Sequence, residues 1–307
     1  MRALGIVLAL IAGAASAQSA EELQRQLDER DARIRALTER IQALEKKDGA
    51  PEDEELSRAL ERLLVQQGAM LLPQRTYEAE PSLSYAHWDS TRGPLRHEAA
   101  AGLALRAGLP WQSQFQVRVS YAHVASDAGS ATDVGDTDFS LARQFVREDR
   151  SRPALFGALG WISRTGRDAF SGGAPTGSGF NVPYAALNIV KRHDPLVFYG
   201  GLSYTAPRPR TVAGDRVAAG NSLGLRFGTA LAASPAASLN AGLNLGFVDE
   251  TRRNGHPVYG SDTVIATFQV GSGLVLTRAV LLNVTGDFRV AGNAPNFRLT
   301  ISLPVRF

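Results

Sequence analysis

From residue 76 to the end of the chain, apolar and polar residues alternate in long runs that no helical periodicity interrupts. Phe115, Val117, Val119 and Tyr121 fall on one side of one such run, and Gln114, Gln116, Arg118 and Ser120 on the other. The last run sets Phe297, Leu299, Ile301, Leu303, Val305 and Phe307 against Asn296, Arg298, Thr300, Ser302 and Arg306. Another sets Leu282, Val284, Phe288 and Val290 against Asn283, Thr285, Asp287 and Arg289. A period of two is the period of a β-strand. It does not say which face is wet, because a sandwich buries its apolar set whereas a membrane barrel turns it toward lipid.

The connections break that tie. Twelve runs can be marked: 76–87, 95–107, 112–124, 135–147, 153–165, 179–192, 195–206, 217–231, 236–249, 262–274, 279–290 and 296–307. Tight links follow the even runs, at 108–111, 148–152, 193–194, 232–235 and 275–278. Most links after odd runs are longer and polar or Gly-rich, at 125–134, 166–178, 207–216 and 250–261. Short turns on one side and long loops on the other are the pattern of bacterial outer-membrane barrels. Runs of this length exceed the five or six residues usual in soluble strands and suit a tilted span. The expectation is an all-β transmembrane barrel of twelve antiparallel strands over 74–307, with both ends on the side of the tight turns. Trp88, Trp111, Tyr121, Trp161, Tyr184, Tyr199, Tyr204, Phe247 and Phe288 are candidates for interfacial girdles. Phe307 is the candidate C-terminal insertion signal.

The N-terminus reads as an export signal. Arg2 precedes an apolar stretch at 4–14, and Ala15-Ser16-Ala17 offers a small-residue cleavage pattern before Gln18. About 20 apolar residues are needed to cross a bilayer as a helix, and this stretch is shorter. Residues 1–17 are therefore read as a signal peptide. A mature chain lacking any longer apolar window reaches a membrane only as a barrel. That places it in the Gram-negative outer membrane, against outer-membrane lipid, with its N-terminal segment in the periplasm. The net charge of +3 gives no reason to expect nucleic acid as a partner. The absence of cysteine excludes disulfides, thiolate metal sites and a lipoprotein anchor.

Between leader and barrel, residues 18–47 predict a periplasmic α-helical coiled coil. Leu23, Leu27, Ile34, Leu37, Ile41 and Leu44 form the seam, with Arg30 in one core slot. Ile34 and Ile41 at a with Leu37 and Leu44 at d favour two strands by the heptad rule. Residues 48–53 are a linker rich in turn formers. The segment 54–73 holds a second helix and the lead-in to the barrel. Its Leu56, Leu60, Leu63 and Leu64 share one face, and Gly68 ends it. That face must be buried on the coiled coil, at the barrel mouth or in the lumen.

Twelve strands lie between a barrel filled by side chains and one holding an open channel. The charged residues expected to line the interior are Glu78, Glu80, Arg118, Arg226, Asp287, Arg289, Arg298 and Arg306, among small residues such as Ser82, Ser120, Gly224 and Thr300. They either line a conducting path or pair into a network that closes it. Enzymatic chemistry, metals and cofactors are not expected. Gly220-Asn221-Ser222-Leu223-Gly224 matches a nucleophile elbow but starts a strand rather than joining strand to helix. The five histidines are scattered, without metal-ligand spacing. Residues 171–180 read as a flexible external loop.

Several motifs carry a resemblance. They are Leu71-Leu72-Pro73, Glu80-Pro81-Ser82-Leu83-Ser84-Tyr85, Gly135-Asp136-Thr137-Asp138, Gly177-Ser178-Gly179-Phe180, and the run from Asp194-Pro195 through Tyr199-Gly200-Gly201 to Tyr204. Together they resemble the outer-membrane transporter-like barrels, nearest to the functional-amyloid (Fap-type) secretion channels. The resemblance implies a homotrimer through residues 20–47, with a dimer as the seam's alternative. It also implies a plug helix over 54–68, and a gated, oligomeric exporter of unfolded polypeptide with a secreted cargo. Related barrels imply the alternative, uptake of hydrophobic or aromatic small molecules.

Overall fold

A computed structural model describes residues 71–89, 95–127, 129–234, 236–277 and 279–307. The predicted leader, coiled coil, linker and plug helix lie outside the described residues. The remainder forms twelve antiparallel spans. They are β1 (Tyr77–Trp88), β2 (Arg96–Leu109), β3 (Ser113–Ser126), β4 (Thr137–Val146), β5 (Ala154–Ser163) and β6 (Val182–His193). The circuit continues with β7 (Leu196–Thr205), β8 (Ser222–Ser234), β9 (Ala237–Val248), β10 (Thr263–Val275), β11 (Leu281–Ala291) and β12 (Phe297–Ser302, resuming at Val305–Arg306).

Each span pairs with its sequence neighbour, and β12 returns to β1 with Ser82 opposite Ser302 and Ala86 opposite Arg298. The final rung is reciprocal: Phe307 N donates to Tyr77 O at 2.8 Å and Tyr77 N to Phe307 O at 3.3 Å. Closure leaves no free edge, the condition for strands to stand in hydrocarbon.

The faces are inverted relative to a soluble sandwich. Leu83, Leu103, Leu141, Leu159, Leu187 and Phe198 lie on the outer wall and are exposed, whereas Glu78, Arg106, Gln114, Asn240 and Asn283 are buried. Covering one large aliphatic side chain is worth about 1.5–3 kcal/mol. An outer wall of such residues is stable only against lipid. Among the described residues no helix is long and apolar enough to cross a membrane.

One end of the barrel carries the tight links and both ends of the described chain; it is termed the turn end. The opposite, loop end departs from sequence expectation. Residues 129–134 do not form a loop. They extend outward as a strand paired with the far half of β3, Tyr121 opposite Val134. The run 217–231 proves to be two elements, because Asp215–Ala218 leaves the barrel and β8 starts at Ser222. Asp215–Ala218 joins Arg210–Val212, Arg252–Arg253 and His256–Pro257 in a separate four-stranded sheet built from two loop hairpins. Two-residue turns with both residues at positive φ close these hairpins, Ala213-Gly214 (51° and 91°) and Asn254-Gly255 (53° and 86°). They have the twist that antiparallel strands favour.

Asp215 locks the two hairpins together. Its Oδ2 accepts from Arg253 Nε at 2.7 Å and its Oδ1 from Asn254 Nδ2 at 2.7 Å. The Asn254 side-chain bond, followed by that of Arg253, holds the Asp215 carboxyl below its ordinary value of 3.8. A depressed carboxylate stabilises wherever it is ionised in both states and loses that contribution as pH falls through the folded value. The lock is therefore expected to persist at neutral and mildly acidic pH and to fail only below 3.8. Asp215→Asn should open it at pH 7, with trypsin then cutting at Arg252 and Arg253 severalfold faster than in the parent. An unchanged cleavage rate would show that the backbone pairing alone holds these loops.

The Gly-rich stretch 171–180 is not a free loop either. Asp136 Oδ1 accepts from Gly166 N at 3.0 Å, and Asp136 Oδ2 from Ser178 N at 2.6 Å and Ser178 Oγ at 2.7 Å. Ala174 is buried against Ala122, Val124 and Ala131, with Ala100 packed beside them. Arg210 Nη1 reaches Asp168 Oδ2 at 2.5 Å and Gly179 O at 2.7 Å, its guanidinium 5.4 Å from the Phe170 ring centre. Ala100, Ala122 and Val124 stand on the inner face of β2 and β3, so the β5–β6 link folds into the mouth. Its glycines permit the close approach: a Cβ on Gly177 would sit 2.4 Å from Asp136 Oδ1.

Candidate functional site

The interior divides by depth. At the turn end Glu78 Oε1 accepts from Arg106 Nη1 at 2.7 Å, and Glu78 Oε2 lies 3.2 Å from Arg306 Nη2. Glu80 Oε2 lies 2.6 Å from the same Arg106 nitrogen, an ion contact without the angle of a hydrogen bond. Arg106 Nε donates to Gln116 Oε1 at 3.0 Å. The side chains of Glu78 and Arg106 are only 4% and 3% exposed. β1, β2 and β12 position this cluster by register: Glu78 stands opposite both Arg106 and Arg306. A pairing of this kind satisfies charges that would otherwise cost several kcal/mol each to bury.

The middle of the lumen holds two cavities of about 440 and 320 Å³, both bordered by Arg118, Arg226 and Asn244. Arg226 Nη2 donates to Asn188 Oδ1 at 2.9 Å, and Tyr184 Oη donates to Asp138 Oδ1 at 2.9 Å. Asp287 Oδ1 accepts from Gln269 Nε2 at 3.0 Å and stands opposite Arg298 on β12. Asn240 Oδ1 and Asn283 Oδ1 border the smaller cavity with no hydrogen-bond partner among the described residues. Buried amide oxygens of this kind are satisfied by water or by a passing solute. Arg289 is brought to none of these groups; it sits toward the loop end and pairs with Asp89, Nη2 to Oδ2 at 3.1 Å.

The charged residues singled out from sequence thus fall into three places: Glu78, Glu80 and Arg306 at the turn end, Arg118, Arg226, Asp287 and Arg298 at mid-depth, and Arg289 by the loops. Sequence reasoning missed Arg106, Asp138 and the lining amides. Gln114 and Gln116 were visible as the polar side of the clearest strand; Arg106 had no such contrast, lying in a run of Ala and Leu. Two aromatics expected in the girdle also face inward. Tyr184 and Tyr199 border these cavities, and Tyr199 is buried. Phe307 is 75% exposed at the turn end, where its backbone closes the last rung.

The least expected feature is the lead-in. Leu72 N donates to Gln114 Oε1 at 2.8 Å inside the barrel. Leu71 packs on Ala154, Phe156, Val190, Val197, Tyr199 and Ala230, which belong to β5–β8. Residues 73–76 meanwhile pair at the end of β2, with Arg75 N donating to Gly108 O at 3.0 Å and Gly108 N to Thr76 O at 2.8 Å. The chain therefore crosses the lumen from the β5–β8 wall before it turns into β1, and Leu71 lines the larger cavity.

No protein-family model matches the sequence. Among solved structures the chain is similar to the COG4313 outer membrane channel from Pseudomonas putida F1, with a TM-score of 0.70 and 15% identity over 78% of this chain and 97% of that one. The translocator domain of the autotransporter NalP from Neisseria meningitidis scores 0.48 at 11% identity, over 85% of this chain and 98% of that one. The NanC porin scores 0.44 at 10% identity, over 75% and 98%. At such identity the first likeness establishes the fold, that of an outer-membrane β-barrel.

Proposed function

We propose that the chain is an outer-membrane channel, standing with its turn end toward the periplasm and gated by its own N-terminal segment, without catalysis of its own. The observation that carries this reading is Leu71, packed inside the barrel against the apolar cluster that contains Phe156 and Tyr199. Leu71 and Leu72 thus lie inside the barrel rather than along its outside. Leu56, Leu60, Leu63 and Leu64 require an apolar partner, and the inner wall beneath Leu71 supplies one. Residues 54–68 are the gate in this reading, and residues 18–47 join copies as a trimer or a dimer.

The lining bears on what passes. Gln114, Gln116, Asn188, Asn244 and Gln269 present amides along the cavities, and amides hydrogen-bond a peptide group as readily as water. Such a wall holds an extended polypeptide weakly along its whole length, which supports export of an unfolded chain. A second reading, uptake of small hydrophobic or aromatic molecules, is favoured by the apolar patch at Phe156, Val190 and Val197.

Planar bilayers carrying the chain without residues 18–70 separate the two. An unstructured, Gln- and Gly-rich peptide should interrupt the current in events that lengthen with peptide length, while phenol leaves the current unchanged. Block by phenol alone would favour uptake. Silence toward both would remove both readings of the cargo.

A further inference from the structure

Two histidines that look scattered in sequence nearly touch on the outer wall. His87 on β1 and His97 on β2 are cross-strand partners in register. Their Nδ1 atoms are 3.3 Å apart, with ring centres 4.6 Å apart and planes inclined by 37°. The Tyr85 hydroxyl lies 2.8 Å from the same His97 Nδ1. Phe297 on β12 stands 6.4 Å from the His87 ring and 5.8 Å from that of Tyr85. Both imidazoles are half-buried, so their orientation is held by packing.

We propose that His87 and His97 form a two-imidazole site for a divalent transition-metal ion, Cu²⁺ bound more tightly than Zn²⁺. Two nitrogens each about 2.0–2.1 Å from one ion stand roughly 3.3 Å apart at a tetrahedral angle and roughly 2.9 Å apart at the right angle of a tetragonal copper site; the protein holds the first spacing and reaches the second by a shift of a few tenths of an ångström. Without a metal the arrangement is poorly satisfied. One lone pair on His97 Nδ1 faces two neighbours, the Tyr85 hydroxyl and His87 Nδ1, whereas a neutral imidazole nitrogen acts as donor or acceptor but not both. An ion takes one lone pair from each ring and leaves the Tyr85 hydroxyl to turn to water or to a third coordination position.

Nitrogen ligands with open positions suit Cu²⁺, Ni²⁺ and Zn²⁺, and affinity among these peaks at Cu²⁺. His123, two residues diagonal from His97 in the β2–β3 ladder, is engaged elsewhere: its Nδ1 lies 2.7 Å from Thr132 Oγ1. The charged neighbours Arg96 and Glu98 pair with each other at 2.8 Å on the opposite face of β2. The bound ion would clamp the β1–β2 hairpin beside the seam where β12 closes the barrel.

The test uses the full mature chain, untagged, in detergent, titrated with CuCl₂ and separately with ZnCl₂. One tight equivalent of Cu²⁺ is expected, with electron paramagnetic resonance reporting two imidazole nitrogens on the copper. His87→Gln and His97→Gln should each weaken binding at least tenfold, while His123→Gln leaves it unchanged. The nitrogen count on the unmodified protein decides the matter even if a variant fails to fold. A single coordinated nitrogen, or equal affinity in the His87→Gln and His97→Gln proteins, would overturn the proposal.

Discussion

Replacing Glu78 by alanine is expected to destabilise the barrel by about 3 kcal/mol, since removing one partner of a buried ion pair typically costs 3–5 kcal/mol. Arg106 would lose its 2.7 Å contact and Arg306 its only carboxylate partner among the described residues. The lower end of the range is appropriate because Glu80 still reaches Arg106. A shift of the urea midpoint, followed by the altered gel mobility of the unfolded protein, is the readout. Arg306→Ala should cost less, because its side chain is 22% exposed against 3% for Arg106. Replacing Glu78 and Arg106 together by leucine should restore only part of the loss: a well-packed apolar pair often substitutes for a buried ionic one, but Glu80 and Arg306 lose their partners. If Glu78→Ala and the double variant unfold at the parent's midpoint, the cluster is a lumen-lining ornament rather than a structural tie.

Gly108→Ala is expected to release the lead-in from the lumen. A Cβ at position 108 would lie 1.9 Å from Pro73 O and 2.9 Å from Leu72 O, both backbone atoms that no rotamer change relieves. Overpacking of this kind costs about 1–3 kcal/mol, or roughly five- to 150-fold in a closed-to-open ratio. The strain falls beside the bonds of Arg75 and Thr76 to Gly108, so Leu71 loses its purchase on the apolar cluster around Phe156. Open-state occupancy in bilayer recordings should rise accordingly. Gly102→Ala is the control: its Cβ meets the Ser82 Oγ at 2.7 Å, a side chain able to turn away, and Val119 O at an ordinary 3.7 Å. Equal behaviour of the two variants would dissociate Gly108 from gating.

The barrel was legible in the sequence where one face contrasts with the other. β3 and β12 are read correctly because Phe, Val and Ile on one side oppose Gln, Arg and Thr on the other. β6 and β7 carry Ala185 and Ala186, Gly200 and Gly201 on opposite faces, so a period of two has nothing to contrast and Tyr184 and Tyr199 were assigned outward. The loop hairpins carry a local signal too: Asn254-Gly255 is the strongest short hairpin signature, set in a stretch whose polar composition otherwise reads as loop. Arg106 was hidden for another reason. Its partner Glu78 is 28 residues away, and only closing β1 on β2 makes either residue acceptable in the interior. Leu71 shows the limit most clearly, since its place depends on strands that begin more than eighty residues later.

The histidine pair belongs to the same class. Ten residues separate His87 from His97, a spacing with no meaning for a helix or a metal motif, and only the β1–β2 register joins them. Long-range pairing creates sites that local spacing does not announce.

The gate is the central claim, and single-channel conductance measures it directly. The full mature chain and a chain beginning at residue 71 are compared in planar bilayers, after gel mobility has verified that both are folded. Gating by the N-terminal segment requires the full chain to be mostly closed, with brief openings, and the shortened chain to conduct steadily at a higher level. Identical conductance and open time in the two proteins would contradict it.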